Sequence, residues 1–245
     1  ARKLAAYTNR LALILPFEAE ALIRAGANAT FVGHPLLETP AAEPDRQAFC
    51  HRWRLDAQRP ILALLPGSRP QELRRHLPVF LEAGRRVEER SPGVQLVLAR
   101  ASSISPEAFR AFAVPVVDDA RSLLAHSALA LVKSGTSTLE AALEGTPCVT
   151  VYRTHPVTFA LARRLLRVNR IALPNLIAGR DVVPEVLQNE ATPDRLADLL
   201  LRLLPPDSAE RAEMIAGFLG IRVALGEPGA SARVAELAAD LLGNS

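Results

Sequence analysis

The sequence predicts an α/β protein built on a doubly wound parallel sheet. Short apolar runs alternate with amphipathic helical segments from residue 11 to residue 168. Two of the apolar runs end in turns that contain glycine, and each turn is followed by a helical pattern. After residue 193 the pattern is helical only. Strands that alternate with helices are typical of parallel sheets, because each crossover helix returns the chain to the same end of the sheet.

The first elements are a strand over residues 11–15, a helix over 17–25 and a strand over 29–32. A polar stretch with prolines, residues 38–45, follows and predicts a linker. Two strands and one helix are too few for a domain. We therefore expect residues 1–37 to be the last part of an upstream α/β domain together with the hinge.

Residues 38–192 are expected to form a complete α/β domain. Its predicted strands cover residues 60–64, 94–99, 114–117, 128–132 and 148–152. Its predicted helices cover residues 45–54, 106–111, 120–127, 136–143 and 157–168, and a further helix begins near Pro78, because proline suits a first helical turn. Residues 193–245 form a helical segment, with helices at 193–204, 208–224 and 231–242.

Composition excludes several classes of function. Hydrophobic residues make up 49% of the 245 residues and aromatic residues only 4%, so the core must be aliphatic. No apolar run approaches the roughly 20 residues that span a bilayer. Cys50 and Cys148 have no metal or redox spacing, which fits a reducing cytoplasmic setting. The five histidines form no metal motif, and no Walker loop or Gly-x-Ser-x-Gly elbow is present. We expect no metal, no cofactor and no nucleic-acid partner.

The turn after the strand at 60–64 is a candidate phosphate-binding loop. It reads Leu65-Pro66-Gly67-Ser68-Arg69. A small-residue turn between a strand and a helix leaves backbone N–H groups free to bind phosphate oxygens. Ser68 adds a hydroxyl, and Arg69 adds a forked cation that suits phosphate. The alternative is an ordinary connection that carries a surface arginine.

A second loop repeats this design. Ser134, Gly135 and Thr136 follow the strand at 128–132, and Glu140 lies one helical turn after Thr136 on the same face. A carboxylate in that place can accept hydrogen bonds from ribose hydroxyls. It can also simply complement the helix dipole. Two such loops, both expected at the carboxyl edge of one sheet, favour a nucleotide site.

An ordered set of motifs resembles a known family. The set is LILPFE at 13–18, FVGHPL at 31–36, LLPGSR at 64–69 with Glu72, SGT at 134–136 with Leu139 and Glu140, Pro147 with VYR at 151–153, LPNL at 173–176 with AGR at 178–180, VPE at 183–185 with Gln188, and EATP at 190–193. Together they resemble the lipid-A-disaccharide synthases, which are inverting glycosyltransferases of the GT-B fold. The similarity runs from about residue 11 to residue 195.

The resemblance implies a GT-B protein with two Rossmann-like domains across a cleft. The implied donor is UDP-2,3-diacylglucosamine and the implied acceptor is 2,3-diacylglucosamine 1-phosphate, which give lipid A disaccharide 1-phosphate and UDP. In this family the C-terminal domain holds the nucleotide. The N-terminal domain supplies most of the acceptor site and the base. We therefore expect this chain to keep the donor half, and we do not expect stand-alone activity.

The resemblance also implies roles for single residues. Arg69 and Asn175 are the candidate catalytic residues, because both can hold the departing diphosphate. The candidate nucleotide-sugar contacts are Gly67, Ser68, Arg69, Ser134, Gly135, Thr136, Glu140, Tyr152 and Asn175. Alternatives stay open: Asn175 can form an Asx turn, and Tyr152 can be a packing residue. His34 at the hinge is interpreted as a hinge or packing residue.

The predicted helix at 157–168 carries arginines beside leucines, namely Arg163, Arg164 and Arg167. A solvated basic face is one interpretation, and contact with the cytoplasmic face of the inner membrane is the other, since the implied substrates are lipids. Two rival functions remain at this point. One is another UDP-sugar enzyme of the same fold, such as a UDP-N-acetylglucosamine epimerase. The other is a nucleotide-binding module without catalysis.

Overall fold

The computed structural model describes residues 2–154 and 170–243. Its strands are β1 Leu11–Leu13, β2 Ala29–Phe31, β3 Ile61–Leu65, β4 Gln95–Ala99, β5 Val116–Val117, β6 Leu129–Lys133, β7 Cys148–Tyr152 and β8 Glu185–Leu187. Its helices are α1 Arg2–Tyr7, α2 Pro16–Arg24, α3 Arg46–Trp53, α4 Pro70–Arg90, α5 Ala120–Ala125, α6 Thr136–Leu143, α7 Leu173–Ala178, α8 Pro193–Leu203, α9 Ala209–Ala224 and α10 Ala230–Gly243. Among the described residues, no helix is both long and apolar enough to cross a membrane.

Six parallel strands form the main sheet in the order β5-β4-β3-β6-β7-β8. The chain builds outward from β3 to β4 and β5, then returns to the other side of β3 and builds outward again. Because crossovers are right-handed, the helices of the two halves cover opposite faces. Every residue of β3 is buried, as a strand covered on both faces requires. The predicted doubly wound α/β class is confirmed.

The core is aliphatic, as the composition predicts. The central strands contribute leucine, valine, isoleucine and alanine, and the side chains of Ile61, Leu98 and Leu131 are completely buried. Helix α8 packs on α4 and on the sheet, while α9 packs on α6 and α7. The backbone N–H of Cys148 in β7 donates to Sδ of Met214 in α9. The first two C-terminal helices are therefore part of the packing around the sheet.

The N-terminal residues form a separate two-stranded parallel sheet, β1 with β2. Helix α10 is bonded to the residue that follows β2: the Arg233 guanidinium donates to the Val32 carbonyl at 2.7 Å. The Glu38 carboxylate accepts from the N–H groups of Gly229 and Ser231 at the start of the same helix. His34 is buried and its Nδ1 accepts from the Leu36 N–H, as a packing role requires. The predicted boundaries at residues 37 and 192 stay predictions.

The prediction that a helix begins near Pro78 is wrong. Helix α4 begins at Pro70, which occupies its first turn, and Pro78 lies inside it. Proline inside a helix costs about 3 kcal/mol, because a hydrogen bond is lost and the ring crowds the preceding turn. Burial of Leu73, Leu77 and Phe80 along one face offsets that cost. Pro78 itself lies on the exposed face.

Other elements differ in smaller ways. The predicted helix at 106–111 is a short 3-10 helix, Pro106–Phe109. Helices α1 and α7 and strand β8 were not predicted, since their apolar patterns are too short to stand out from the loops around them. The predicted helix at 157–168, with Arg163, Arg164 and Arg167, lies outside the described residues.

Candidate functional site

The two glycine-containing loops meet at the carboxyl edge of the sheet. One follows β3 and the other follows β6, and these strands are hydrogen-bonded neighbours. The strand order reverses between them, which is where open α/β sheets bind ligands. A cavity of about 310 Å³ lies between the loops, and Gly67, Ser68, Gly135 and Thr136 are among its lining residues. The prediction that both loops lie at one edge is confirmed.

Gly67 adopts a conformation that favours glycine, with φ at +124°. A Cβ at this position would lie 2.7 Å from both Cβ and Oε2 of Glu72. The close approach lets the start of α4 fold back over the loop. Gly135, with φ at +151°, has the corresponding place before α6.

The carboxylate of Glu72 occupies the space in front of the first loop. Oε2 accepts from the Ser68 N–H at 3.0 Å, and Oε1 accepts from Nζ of Lys133 at 2.9 Å. The Arg69 guanidinium lies 3.6 Å from Oε1. Burial tends to raise the pKa of Glu72, but the bonds from Lys133 and Ser68 and the charges of Lys133 and Arg69 outweigh burial and lower it. The loop thus already binds one anion, supplied by its own helix.

Sequence reasoning missed Lys133. It is the last residue of β6, directly before the second loop, and its side chain lies between the two loops. The chain contains only two lysines, Lys3 and Lys133, among many arginines. A rare lysine at the end of a buried strand was the available signal. Its link to Glu72 joins positions 61 residues apart, which no local pattern reveals.

The residues of the second loop differ in their exposure to solvent. Thr136 is exposed at the first turn of α6, whereas Ser134 is buried and its Oγ donates to the Ile171 carbonyl at 3.5 Å. Glu140 lines a neighbouring cavity of about 330 Å³, together with Asp119 and Arg121. Ala120 lines the cavity between the loops. The two cavities therefore adjoin along one turn of α6.

A larger cavity of about 690 Å³ lies on the other side of the Glu72–Lys133 pair. Arg69 and Tyr152 both line it, so the structure brings Tyr152 beside the first loop. The ring of His76 connects two residues that line this cavity, Glu72 and Arg153. Its Nδ1 lies 2.8 Å from the Glu72 carbonyl, and its Nε2 accepts from the Arg153 N–H at 3.3 Å. Burial is the main cause of the lowered pKa of His76. A neutral ring with hydrogen on Nδ1 satisfies both bonds.

Asn175 is not among the residues that line the cavities at the two loops. Its amide is buried and makes four hydrogen bonds. Nδ2 donates to the Val183 carbonyl and to Oε1 of Glu185, and Oδ1 accepts from the N–H groups of Val182 and Val183. Both donors and both acceptors of the amide are used. These bonds fix the loop that leads into β8, and the expectation that the amide holds the diphosphate or the sugar stays a prediction.

The site is built from cations and backbone donors. Among residues 2–154 and 170–243, no group of three or more His, Cys, Asp or Glu side chains could hold a metal ion. Arg69 and Lys133 carry positive charge in the cavity that residues of both loops line. This arrangement can bind an oxyanion and stabilise negative charge that develops on it.

A family model described as lipid-A-disaccharide synthetase matches residues 1–216. A lipid-A-disaccharide synthase of Anaeromyxobacter dehalogenans is 42% identical over 244 residues, covering 96% of this chain and 63% of that protein. One of Myxococcus xanthus is 41% identical, with 96% and 63% covered. The chain therefore spans less than two thirds of the length of these curated relatives.

Solved structures show the same fold at low sequence identity. The UDP co-structure of Staphylococcus aureus MnaA aligns with a TM-score of 0.60 and 14% identity, covering 92% of this chain and 58% of that chain. Glycosyltransferases and epimerases of the GT-B type are among such neighbours, which confirms the predicted fold type. The relatives in sequence show more than the fold, because identity above 40% extends over nearly the whole chain. This chain belongs to the lipid-A-disaccharide synthetase family.

Proposed function

We propose that this chain holds the donor half of a glycosyltransferase that moves 2,3-diacylglucosamine from UDP to 2,3-diacylglucosamine 1-phosphate. The products are lipid A disaccharide 1-phosphate and UDP. The main support for this proposed function is the pair of loops at the point where the strand order reverses, with Arg69 and Lys133 between them. Family membership supports the substrates. The UDP bound to a protein of the same fold supports the nucleotide.

The diphosphate is assigned to the cavity between the loops. Inverting transfer breaks the bond between the sugar C1 and the diphosphate oxygen, and the leaving group takes that electron pair. Arg69, Lys133 and Ser68 line this cavity, and their donors can stabilise the growing negative charge. Because Glu72 already accepts from Lys133 and from Ser68, the diphosphate must compete with this carboxylate for the same donors.

The nucleoside is assigned to the adjoining cavity along α6. Thr136 begins this helix near the diphosphate, and Glu140 lies one turn further, about 6 Å along the axis. A ribose attached to the diphosphate can reach that distance. The Glu140 carboxylate makes no hydrogen bond or ion pair with the described residues, so it is free to accept from ribose hydroxyls. The base that activates the acceptor is expected from the N-terminal domain of the family.

Titration calorimetry with UDP tests the assignment. Arg69→Ala should weaken UDP binding by about 1.5–3 kcal/mol, the usual magnitude of a hydrogen bond to a charged group. Arg110→Ala is the matched control, because Arg110 is as exposed as Arg69 and also pairs with a glutamate in an i,i+3 contact. Equal UDP affinity in the wild type and Arg69→Ala would contradict the assignment.

The same titration tests whether a divalent metal takes part. We expect equal UDP affinity with and without EDTA, because the cations of Arg69 and Lys133 stand where a metal would otherwise offset the diphosphate charge. A large loss of affinity in the chelator, restored by magnesium or manganese, would show that these side chains are insufficient.

The rival functions are separated by an activity assay. A UDP-N-acetylglucosamine epimerase is not favoured, because the family model and the curated relatives agree on the synthase. UDP release in detergent, with both lipid substrates and a chain of the full length of the relatives, distinguishes the transferase from a nucleotide-binding module. Sedimentation with lipid vesicles tests the proposed peripheral contact with the inner membrane.

A further inference from the structure

The arginines of α4 fall into two groups. Those in its second half all have carboxylate partners: Arg85 and Arg86 pair with Glu82, Arg86 also with Asp194, and Arg90 with Asp198. Those in its first half, Arg74 and Arg75, have no ion pair with any described residue. The internal segment outside the described residues, 155–169, contains no Asp or Glu.

Both unpaired arginines line the larger cavity of about 690 Å³. Arg153, which follows β7, lines it from the opposite wall, and its guanidinium also has no carboxylate partner among the described residues. With Arg69 and Lys133 the cavity has five cationic side chains, while Glu72 is its single carboxylate and is already paired with Lys133. Cations that crowd one cavity without counterions repel one another, and an anion with more than one charge relieves that repulsion.

We propose that the cavity bounded by Arg74, Arg75 and Arg153 is a second anion site, which binds the phosphate monoester of the acceptor sugar. A phosphate monoester carries about −1.5 to −2 charges at pH 7 and offers three strong acceptor oxygens. Arginine suits such a group because its planar fork can donate two parallel hydrogen bonds. The inference rests on the proposed function, since it takes the acceptor of that reaction as the ligand.

The donor cannot account for this charge. Its diphosphate is already assigned to the cavity between the loops, and a UDP-sugar has no further phosphate. The acceptor brings the only other phosphate in the reaction. The two cavities share Arg69, Glu72 and Lys133, so ligands in both would lie on the two sides of one ion pair. That proximity is what a transfer between the two sugars requires.

Glucosamine 1-phosphate, a soluble form of the acceptor headgroup, is the probe. It is titrated into the protein saturated with UDP, and binding is followed by phosphorus NMR. We expect saturable binding by the wild type and at least a tenfold loss of affinity in Arg74→Ala/Arg75→Ala. The affinity for UDP should fall far less in the same variant. The double variant Arg85→Ala/Arg110→Ala removes the same charge elsewhere and should keep the sugar phosphate affinity.

Further titrations test whether the phosphate group of the probe is what binds. Glucosamine without phosphate should not bind, and inorganic phosphate should compete with the sugar phosphate. Equal losses in the two double variants, or binding of the probe only when UDP is absent, would overturn the second site. If Arg74→Ala/Arg75→Ala loses binding to phosphatidylglycerol vesicles but keeps the probe, the arginines face a membrane and the inference is wrong. Failure of the proposed function shows separately, as absence of UDP binding in the wild type.

Discussion

Lys133 and Glu72 form a partly buried ion pair in the space assigned to the diphosphate. Their side chains are 21% and 15% exposed, so water screens the pair only in part. The same carboxylate accepts the Ser68 N–H that would otherwise be free for a phosphate oxygen. In this arrangement Glu72 acts as an internal anion. The donors of the site stay in place before a ligand enters.

Replacing Lys133 tests this pair. Lys133→Ala should lower UDP affinity about 10- to 100-fold, that is by about 1.5–3 kcal/mol, because a cation is lost and Glu72 keeps its repulsive charge. The second substitution Glu72→Gln in the same variant should restore part of the affinity. Lys3→Ala, which changes the other lysine of the chain, is the control. Unchanged affinity in Lys133→Ala, measured by calorimetry, would exclude Lys133 from the site.

Gly67 is tested by adding a single methyl group. Gly67→Ala should lower the free energy of unfolding by about 1–3 kcal/mol, since alanine is strained at this φ and its Cβ would meet Glu72 at 2.7 Å. UDP affinity should fall as well, because Glu72 must shift. Gly93→Ala is the control: its φ is not positive and a Cβ there meets no atom within 4 Å. Urea unfolding and UDP titration of both variants give the comparison, and equal results for the two would contradict it.

At the scale of elements, helix α6 and strand β7 match the predicted bounds, residues 136–143 and 148–152. Both have long apolar patterns and clear turns at their ends, so local chemistry decides them. Helix α4 shows where local sequence patterns no longer predict the bounds of an element. Its first turn looks like a loop because Pro70 and two arginines dilute the apolar pattern, and only packing on the sheet extends it back from Pro78.

In the candidate site, too, features with local sequence signals were predictable and features that depend on distant residues were not. The two loops were predictable because glycine, serine and strand ends are local signals. The four hydrogen bonds of the Asn175 amide were not predictable, because its partners lie seven to ten residues away, in a loop and strand that the pattern does not reveal. The lack of ion pairs of Arg74 and Arg75 with described residues was equally hidden, since Arg86 and Arg90 of the same helix find partners on a helix more than 100 positions later.

Helix α10 is attached to the N-terminal residues through Glu38. Bonds from the side chain and the N–H of Ser231 are the main causes of the lowered pKa of this exposed carboxylate; desolvation opposes them, and the N–H of Gly229 adds to them. A carboxyl whose pKa is lower in the folded state stabilises that state above its unfolded pKa, and the contribution is lost as the pH falls through the folded pKa. The attachment should therefore weaken only below pH 4.5, the ordinary value for this group.

NMR can measure the pH at which the contact between Glu38 and helix α10 is lost. The amide shifts of Gly229 and Ser231 should titrate together with a midpoint below 4.5, and Glu38→Gln should abolish the titration. Glu236, on the same helix, is the comparison, because it takes no part in the bonds from Gly229 and Ser231 to Glu38. Its substitution to Gln should leave the titration in place. A midpoint at or above 4.5 would show that the two N–H groups do not hold the carboxylate.

At the scale of the molecule, the sheet couples the site to the stability of the fold. The loops that form the candidate site are continuous with β3 and β6, the two central strands. Cys148 lies in β7 beside them and is completely buried. Burial raises the pKa of its thiol to about 12. Cys50 on α3 is also free and buried, with a raised pKa from the same cause.

Thiol labelling of Cys148 should therefore report opening of the central sheet. In a Cys50→Ala variant at pH 8, the native chain should react with a thiol reagent far more slowly than the urea-unfolded chain, because the reactive thiolate is both rare and inaccessible. A ligand that binds only the folded state stabilises it by about 2.7 kcal/mol at 100 times its Kd. When opening and closing are fast relative to labelling, UDP at that concentration should slow the reaction about 100-fold. Cytidine, which lacks the diphosphate, should slow it far less. Rapid labelling of the native chain, or equal rates with and without bound UDP, would show that β7 opens independently of the site.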